Sequence, residues 1–277
     1  IVMAVSAADT PAPAAGRIAL FADEVAGDIV WMRRSPVGLA MPLQDSLAFK
    51  NFKSVVPGTG TGLTTGTSGI GASFTNVGTL ANPGLAATNL GTQTRRVTFS
   101  TGATAGAMAS HRQQMTEVWR GNAAGLGGFR LVMRLGMNTF QAGQRGFFGI
   151  QSSVIAPTNV DPLTSNAGAK IGVAFNTNTG NWQIIHGSNL AAPTVINTTI
   201  PINITSMLDL IIFCAPNAAN MNVKLIDLST GTRFSVTPVT NLPDNTLFLA
   251  PQFWITNNAA AAAVIANFYK WTLESDY

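Results

Sequence analysis

The sequence predicts an all-β fold: an antiparallel β-sandwich of the jelly-roll kind, preceded by a small N-terminal β-hairpin. Three observations predict it. Turn-forming residues are abundant, with 27 Gly and 14 Pro among 277 residues. β-prone runs follow one another at short intervals through residues 95–277, the rhythm of a sandwich built from many short strands. Only 10% of the chain is charged while 46% is apolar, against about a quarter charged in an ordinary soluble domain.

The shortage of charge also excludes several classes. A disordered chain is poor in hydrophobes, whereas this one has positive mean hydropathy, 15 Phe and 5 Trp. Coiled coils need Glu, Lys and Arg along their outer faces. No window reaches the ~18 consecutive apolar residues of a spanning helix, and the apolar run 207–215 is interrupted by Asp209 and reads as a buried strand. The net charge of +4 comes from few groups. The basic residues are scattered, so no nucleic-acid partner is expected. Residues 1–10 lack a basic n-region and contain Asp9, which is unlike a secretory signal.

Residues 1–50 open with a Pro/Ala arm at 10–15, which favours extended chain. Two β-prone runs follow, 17–22 and 28–33, with a turn expected at 23–27 and a stop at Ser35-Pro36-Val37-Gly38. A two-stranded hairpin is marginal alone in water, so this one is expected to dock on another surface. Residues 51–94 are rich in Gly, Thr and Asn and read as loop or weakly regular strand. Pro57-Gly58-Thr59-Gly60-Thr61-Gly62 is not a phosphate loop, because no Lys-Ser/Thr follows it. The remaining chain, from 95, forms the sandwich together with that entry segment. Strands are expected at 96–101, 128–137, 145–155, 169–176, 181–187, 194–200, 207–215, 221–228, 232–239, 246–256 and 263–274. In the second of these Phe129, Leu131, Met133 and Leu135 alternate with Arg130, Val132 and Arg134. Only 110–120 reads as a short helix.

Chemistry is sparse. Cys214 is the only cysteine and reads as a small buried hydrophobe. His111 and His186 form no metal-ligand spacing, so neither a metal nor another cofactor is expected. The 12 acidic residues show no spacing that pairs two carboxylates for glycoside cleavage. The chain therefore reads as non-enzymatic. The rival reading, a glycan-degrading depolymerase, would draw on Glu117, Asp161 or Asp209. Trp182 and Trp254 read first as core. A second role for such residues is stacking on a sugar ring while amides and imidazoles bond its hydroxyls. Asn181, Gln183 and His186 are assigned to the strand face opposite Trp182 and Ile184, exposed, and are the candidate ligand contacts.

Two groups of residues carry a resemblance. Residues 13–23, Gly27-Asp28-Ile29-Val30-Trp31 and Pro42-Leu43 are similar to the short modules at the start of tailed-bacteriophage fibre and appendage proteins. Gly127-Gly128-Phe129-Arg130, Arg145-Gly146-Phe147-Phe148-Gly149, Gly172-Val173-Ala174-Phe175 and the ending from Tyr269 to Tyr277 resemble the lectin-like jelly-roll domains of those proteins. The resemblance implies a head, collar or tail fibre subunit on the virion surface. It implies attachment to other virion proteins through Arg17, Leu20, Phe21, Ile29 and Trp31, a homotrimeric assembly, and binding of a host-surface glycan without membrane insertion. A purely structural head or collar decoration is the further alternative.

Overall fold

A computed structural model describes residue 14 and residues 19–25, 28–34, 40–42, 51–58, 62–68, 73–176 and 179–275. The chain divides into two units, 1–48 and 49–277. In the first, β1 (Ala19–Val25) and β2 (Asp28–Arg34) pair antiparallel and β3 (Ala40–Pro42) adds to β2. The hairpin read from sequence is therefore part of a three-stranded sheet. Its first strand also runs through Asp23 and Glu24, which were assigned to the turn; they pair with Val30 and Ile29. Leu20 and Phe21 lie on β1, Ile29 and Trp31 on β2, and Arg17 falls outside the described residues.

In the second unit the Gly/Thr-rich stretch supplies β4 (Asn51–Pro57), β5 (Leu63–Ser68), β6 (Phe74–Val77) and β7 (Thr79–Ala81). A four-residue helix, α1 (Leu90–Gln93), follows; Asn89 and Thr92 cap it reciprocally through side chain and backbone. Next come β8 (Val97–Ser100), β9 (Met108–Gln113), β10 (Phe129–Thr139) and β11 (Arg145–Gln151). They are followed by β12 (Lys170–Phe175), β13 (Asn181–Gly187), β14 (Thr194–Pro201) and β15 (Leu208–Cys214). The last are β16 (Asn222–Asp227), β17 (Arg233–Val236), β18 (Ala250–Thr256) and β19 (Ile265–Ser275).

These strands form two antiparallel sheets. The nine-stranded one has the order β17-β16-β15-β10-β19-β4-β5, with β8 beside β19 and β7 beside β8. The seven-stranded one has the order β14-β13-β12-β11-β18-β9-β6. Alternation explains how they stack. Phe129, Leu131 and Met133 of β10 are fully buried while Arg130 and Arg134 face outward. Phe148, Ile171, Val173, Trp182, Ile184 and Phe253 meet them from the other sheet in one continuous core. Aromatic rings dominate its centre. Phe253 stands edge-on to Phe99 at 4.9 Å and stacks on Phe148 at 5.4 Å, geometries that add attraction beyond area burial. Cys214 is buried, and burial pushes its thiol up to about 11.

The segment read as a helix at 110–120 begins instead as β9. Two of its three inward residues, His111 and Gln113, are polar and each finds a partner. Lys53 of β4, with no exposed surface, donates to both oxygens of Glu117, at 2.8 and 3.2 Å. Gln113 donates to Glu117 Oε2 at 3.0 Å. Trp271 Nε1 donates to His111 Nε2 at 3.1 Å, and His111 Nδ1 donates to Asn76 Oδ1 at 2.7 Å. An indole N–H can only donate, so this pair of bonds fixes the neutral tautomer of His111.

The outer face of the seven-stranded sheet carries Phe147, with Gly149 opposite Gly172 in the register beside it. A Cβ on Gly172 would stand 2.2 Å from the Phe148 carbonyl oxygen and 3.0 Å from the Phe147 ring. Gly172→Ala should therefore lower stability by roughly 1–3 kcal/mol, the usual range for overpacking. The check is the denaturant midpoint at constant m; an unmoved midpoint would mean the ring and strand give way freely.

Candidate functional site

Between β11 and β12 lie residues 152–169. Structureless loops beyond about 12–15 residues are uncommon in compact domains and usually functional. This one folds back over the outer face of the seven-stranded sheet and is fastened there. Its neck closes where Ser152 N donates to the Ala169 carbonyl at 2.8 Å and Ala169 N donates to Ser152 Oγ at 2.9 Å. Arg112 of β9 donates to the Val154 carbonyl. Arg145 of β11 reaches the Asn159 carbonyl at 3.3 Å, and Thr256 of β18 donates to Asn159 Oδ1 at 3.3 Å. Asp161 accepts from Leu163 N at 3.0 Å and from Asn176 Nδ2 at 2.9 Å. Leu163 packs on a small apolar cluster of Phe147, Ala174, Ile185 and Trp254.

Under this loop is a pocket of about 200 Å³. Its floor comes from the sheet: Gln151, Lys170, Gln252 and Trp254. Its walls come from loop residues that include Ser153, Ile155, Pro157, Val160 and Ala167. Strand register sets the floor. Gln151 lies opposite Lys170, Gln252 opposite Gly149 and Arg112, and Trp254 opposite Phe147. Gln151 is tied to the loop by a 3.1 Å bond from Nε2 to the Ala167 carbonyl. Gln252 is 3% exposed and its carboxamide makes no hydrogen bond with any described residue. Lys170 Nζ makes one, to the Ser165 carbonyl at 2.8 Å, and burial lowers its pKa to about 8. The pocket thus offers largely apolar walls over a floor that holds one aromatic ring, a free amide and a nearly free ammonium, the mixture of apolar lining and few placed polar groups found in small-ligand sites.

The residues singled out from sequence sit elsewhere. His186 is 3% exposed and lies on the same strand face as Trp182 and Ile184, since positions 182, 184 and 186 share parity; the assignment to the opposite face is corrected. Its Nδ1 donates to the Asn241 carbonyl at 3.1 Å, and burial lowers its pKa. Gln183 is buried too, contrary to its expected exposure, and its Nε2 is shared between Asn197 Oδ1 at 2.9 Å and the Asn181 carbonyl at 3.0 Å. Asn181 is half-buried at the start of β13. None of the three lines the pocket beneath residues 152–169. They fasten β13 to β14 and to the segment holding Asn241.

Of the two tryptophans, Trp182 is core and Trp254 lines the pocket. The three carboxylates weighed for catalysis are each engaged at a separate place. Glu117 is bonded to Lys53, Asp161 holds the loop, and Asp209 accepts a two-pronged Arg134 at 2.7 Å on the nine-stranded sheet. Among the described residues no three His, Cys, Asp or Glu side chains cluster as a metal site would require. Lys170, Gln151 and Gln252 were missed. The available signal was Gln252 two positions before Trp254, which puts both on one strand face.

No protein-family model matches the chain, and no curated protein matches it in sequence. Solved structures do. A protein of unknown function from Shewanella oneidensis MR-1 is similar over 84% of this chain and 90% of its own, at 14% identity and a TM-score of 0.50. The basic winged bean lectin, solved with Tn-antigen, is similar over 74% of this chain and 92% of its own, at 10% identity and a TM-score of 0.50. The sandwich has a lectin-like jelly-roll fold. At these identities the likeness concerns the fold.

Proposed function

We propose that this chain is a non-enzymatic adhesion subunit that binds a glycan in the pocket beneath residues 152–169. One observation carries the reading: a long loop is pinned across the sheet by Arg112, Arg145 and Thr256, and the space it encloses holds Trp254 beside the unpartnered Gln252 amide. The Gln252 carboxamide has no partner among the described residues and reaches the pocket, so its hydrogen-bonding capacity is open to a ligand. A ligand hydroxyl would satisfy it. The lectin-like fold agrees with this reading, as does the winged bean lectin neighbour solved with Tn-antigen. The resemblance of the N-terminal segment to bacteriophage appendage modules extends the proposal. The first unit would attach the subunit to other virion proteins on the particle surface, a homotrimer being the assembly, and the sandwich would face the host.

The test uses the full chain on an array of bacterial surface polysaccharides, with Gln252→Ala and Trp254→Phe compared by thermal unfolding to confirm folding. The wild-type chain should bind at least one glycan, and Gln252→Ala should weaken that binding roughly tenfold, the scale of one lost hydrogen bond with its partner stranded. Binding untouched by both substitutions would place the glycan elsewhere.

A further inference from the structure

We infer that the glycan this pocket takes is acidic, a sugar whose carboxylate is held by Lys170 with the Gln252 amide alongside. The inference rests on the glycan reading and specifies its substrate class. Lys170 is 5% exposed, and its ammonium meets only the Ser165 carbonyl. It forms no ion pair with a carboxylate among the described residues, and no acid lines the pocket. Two of its three N–H donors are left over.

The whole sheet shares this imbalance. Its seven strands contain Arg112, Arg145 and Lys170 and not one Asp or Glu, whereas the nine-stranded sheet carries Asp209, Asp227 and Glu274. The single carboxylate of the covering loop, Asp161, is occupied by Asn176 and Leu163 N. A buried cation kept without a counter-ion is unfavourable for folding unless something else brings the charge. An incoming carboxylate would do so through charge-assisted hydrogen bonds, and Gln252 Nε2 would be a neutral donor to the same group. The pocket is below the roughly 300–1,000 Å³ of sites that enclose drug-sized ligands. It suits one ring of a chain, with Trp254 and Pro157 against the ring's apolar edge.

Lys170 is the only lining residue that titrates near neutral pH. The other charged side chains about it are Arg112 and Arg145, from β9 and β11, each bonded to a loop carbonyl, and Asp161, bonded to Asn176 and Leu163 N. Affinity for the acidic sugar should therefore fall as the pH rises past about 8, where burial places the free ammonium, while affinity for a neutral sugar stays flat.

The experiment is calorimetric titration of the full chain with a uronic-acid oligosaccharide, the same oligosaccharide after carboxyl reduction, and acetate. The acidic form should bind at least tenfold tighter than the reduced form, as expected for a hydrogen bond to a charged group. Lys170→Met should erase that difference while leaving the weak binding of the reduced form, and Lys170→Arg should keep part of it. Lys170→Met should also unfold no earlier than wild type, because it removes an uncompensated buried charge. Equal binding of both oligosaccharides overturns the inference and leaves the glycan reading standing. If neither binds, both fall. Acetate competing as well as the acidic sugar marks a simple anion site and overturns the inference.

Discussion

Lys53→Met should cost the sandwich about 3–5 kcal/mol of folding stability, the range for breaking a buried ion pair by removing one partner. Glu117 would remain 6% exposed with only the Gln113 amide to face it. Removing both charges is a different matter: Lys53→Met with Glu117→Leu should return stability to wild type or above it, since well-packed apolar replacements of buried pairs are often neutral or stabilising. Burial already pushes the Glu117 carboxyl up. In the single variant it can escape its unpaired charge by taking a proton, so the deficit should shrink as the pH is lowered. Urea denaturation at pH 7 and pH 5 reads all three outcomes. Equal losses in the single and double variants would show that packing volume, and not charge, sets the effect.

His111 should make the protein acid-labile. Burial, and then the positive charge of Lys53, hold its pKa down to about 3 from 6.5. Protonation would also set a new Nε2–H against the indole N–H of Trp271. Between pH 6.5 and about 3 the unfolded chain binds a proton here and the folded chain does not, so stability falls as the pH drops through that window. The slope from this one group approaches about 1.4 kcal/mol per pH unit. Glu117 acts in the opposite sense, since its raised pKa makes the folded state the better proton acceptor. The His111 contribution is therefore read as a difference: wild type minus His111→Gln, from pH 6 to pH 4. Parallel pH profiles for the two proteins would remove it.

These two sites also explain where the sequence was hard to read. β13 was legible to the residue, 181–187, and most later strands to within a few, because apolar and polar residues alternate with turns between them. β9 was not. Its inward positions are His111 and Gln113 beside Ala109, so the polar residues fall on the core side and the period of two is hidden. The strand expected at 145–155 ends at Gln151 because the chain there leaves the sheet to form the pinned loop. β4 and β5 lie in Gly/Thr-rich sequence with little apolar pattern, and pairing with β19 on one side and β5 on the other makes the first of them a strand. The pocket was least legible of all. Lys170, Gln252 and Trp254 stand on two strands more than eighty positions apart in sequence, and the cover of their pocket is a loop whose path depends on Arg112.

β19 lies between β10 and β4, with β8 alongside its first residues. Without it the nine-stranded sheet falls into separate pieces, and Lys53 has no Leu273 across from it. Partners this distant in the chain make for slow folding, because loop closure is paid before contacts form. As the ribosome delivers the chain, β4, β8 and β10 emerge long before the strand that joins them. The sandwich is thus completed after synthesis of β19, and until then its unpaired edges are exposed to whatever neighbouring chains are present.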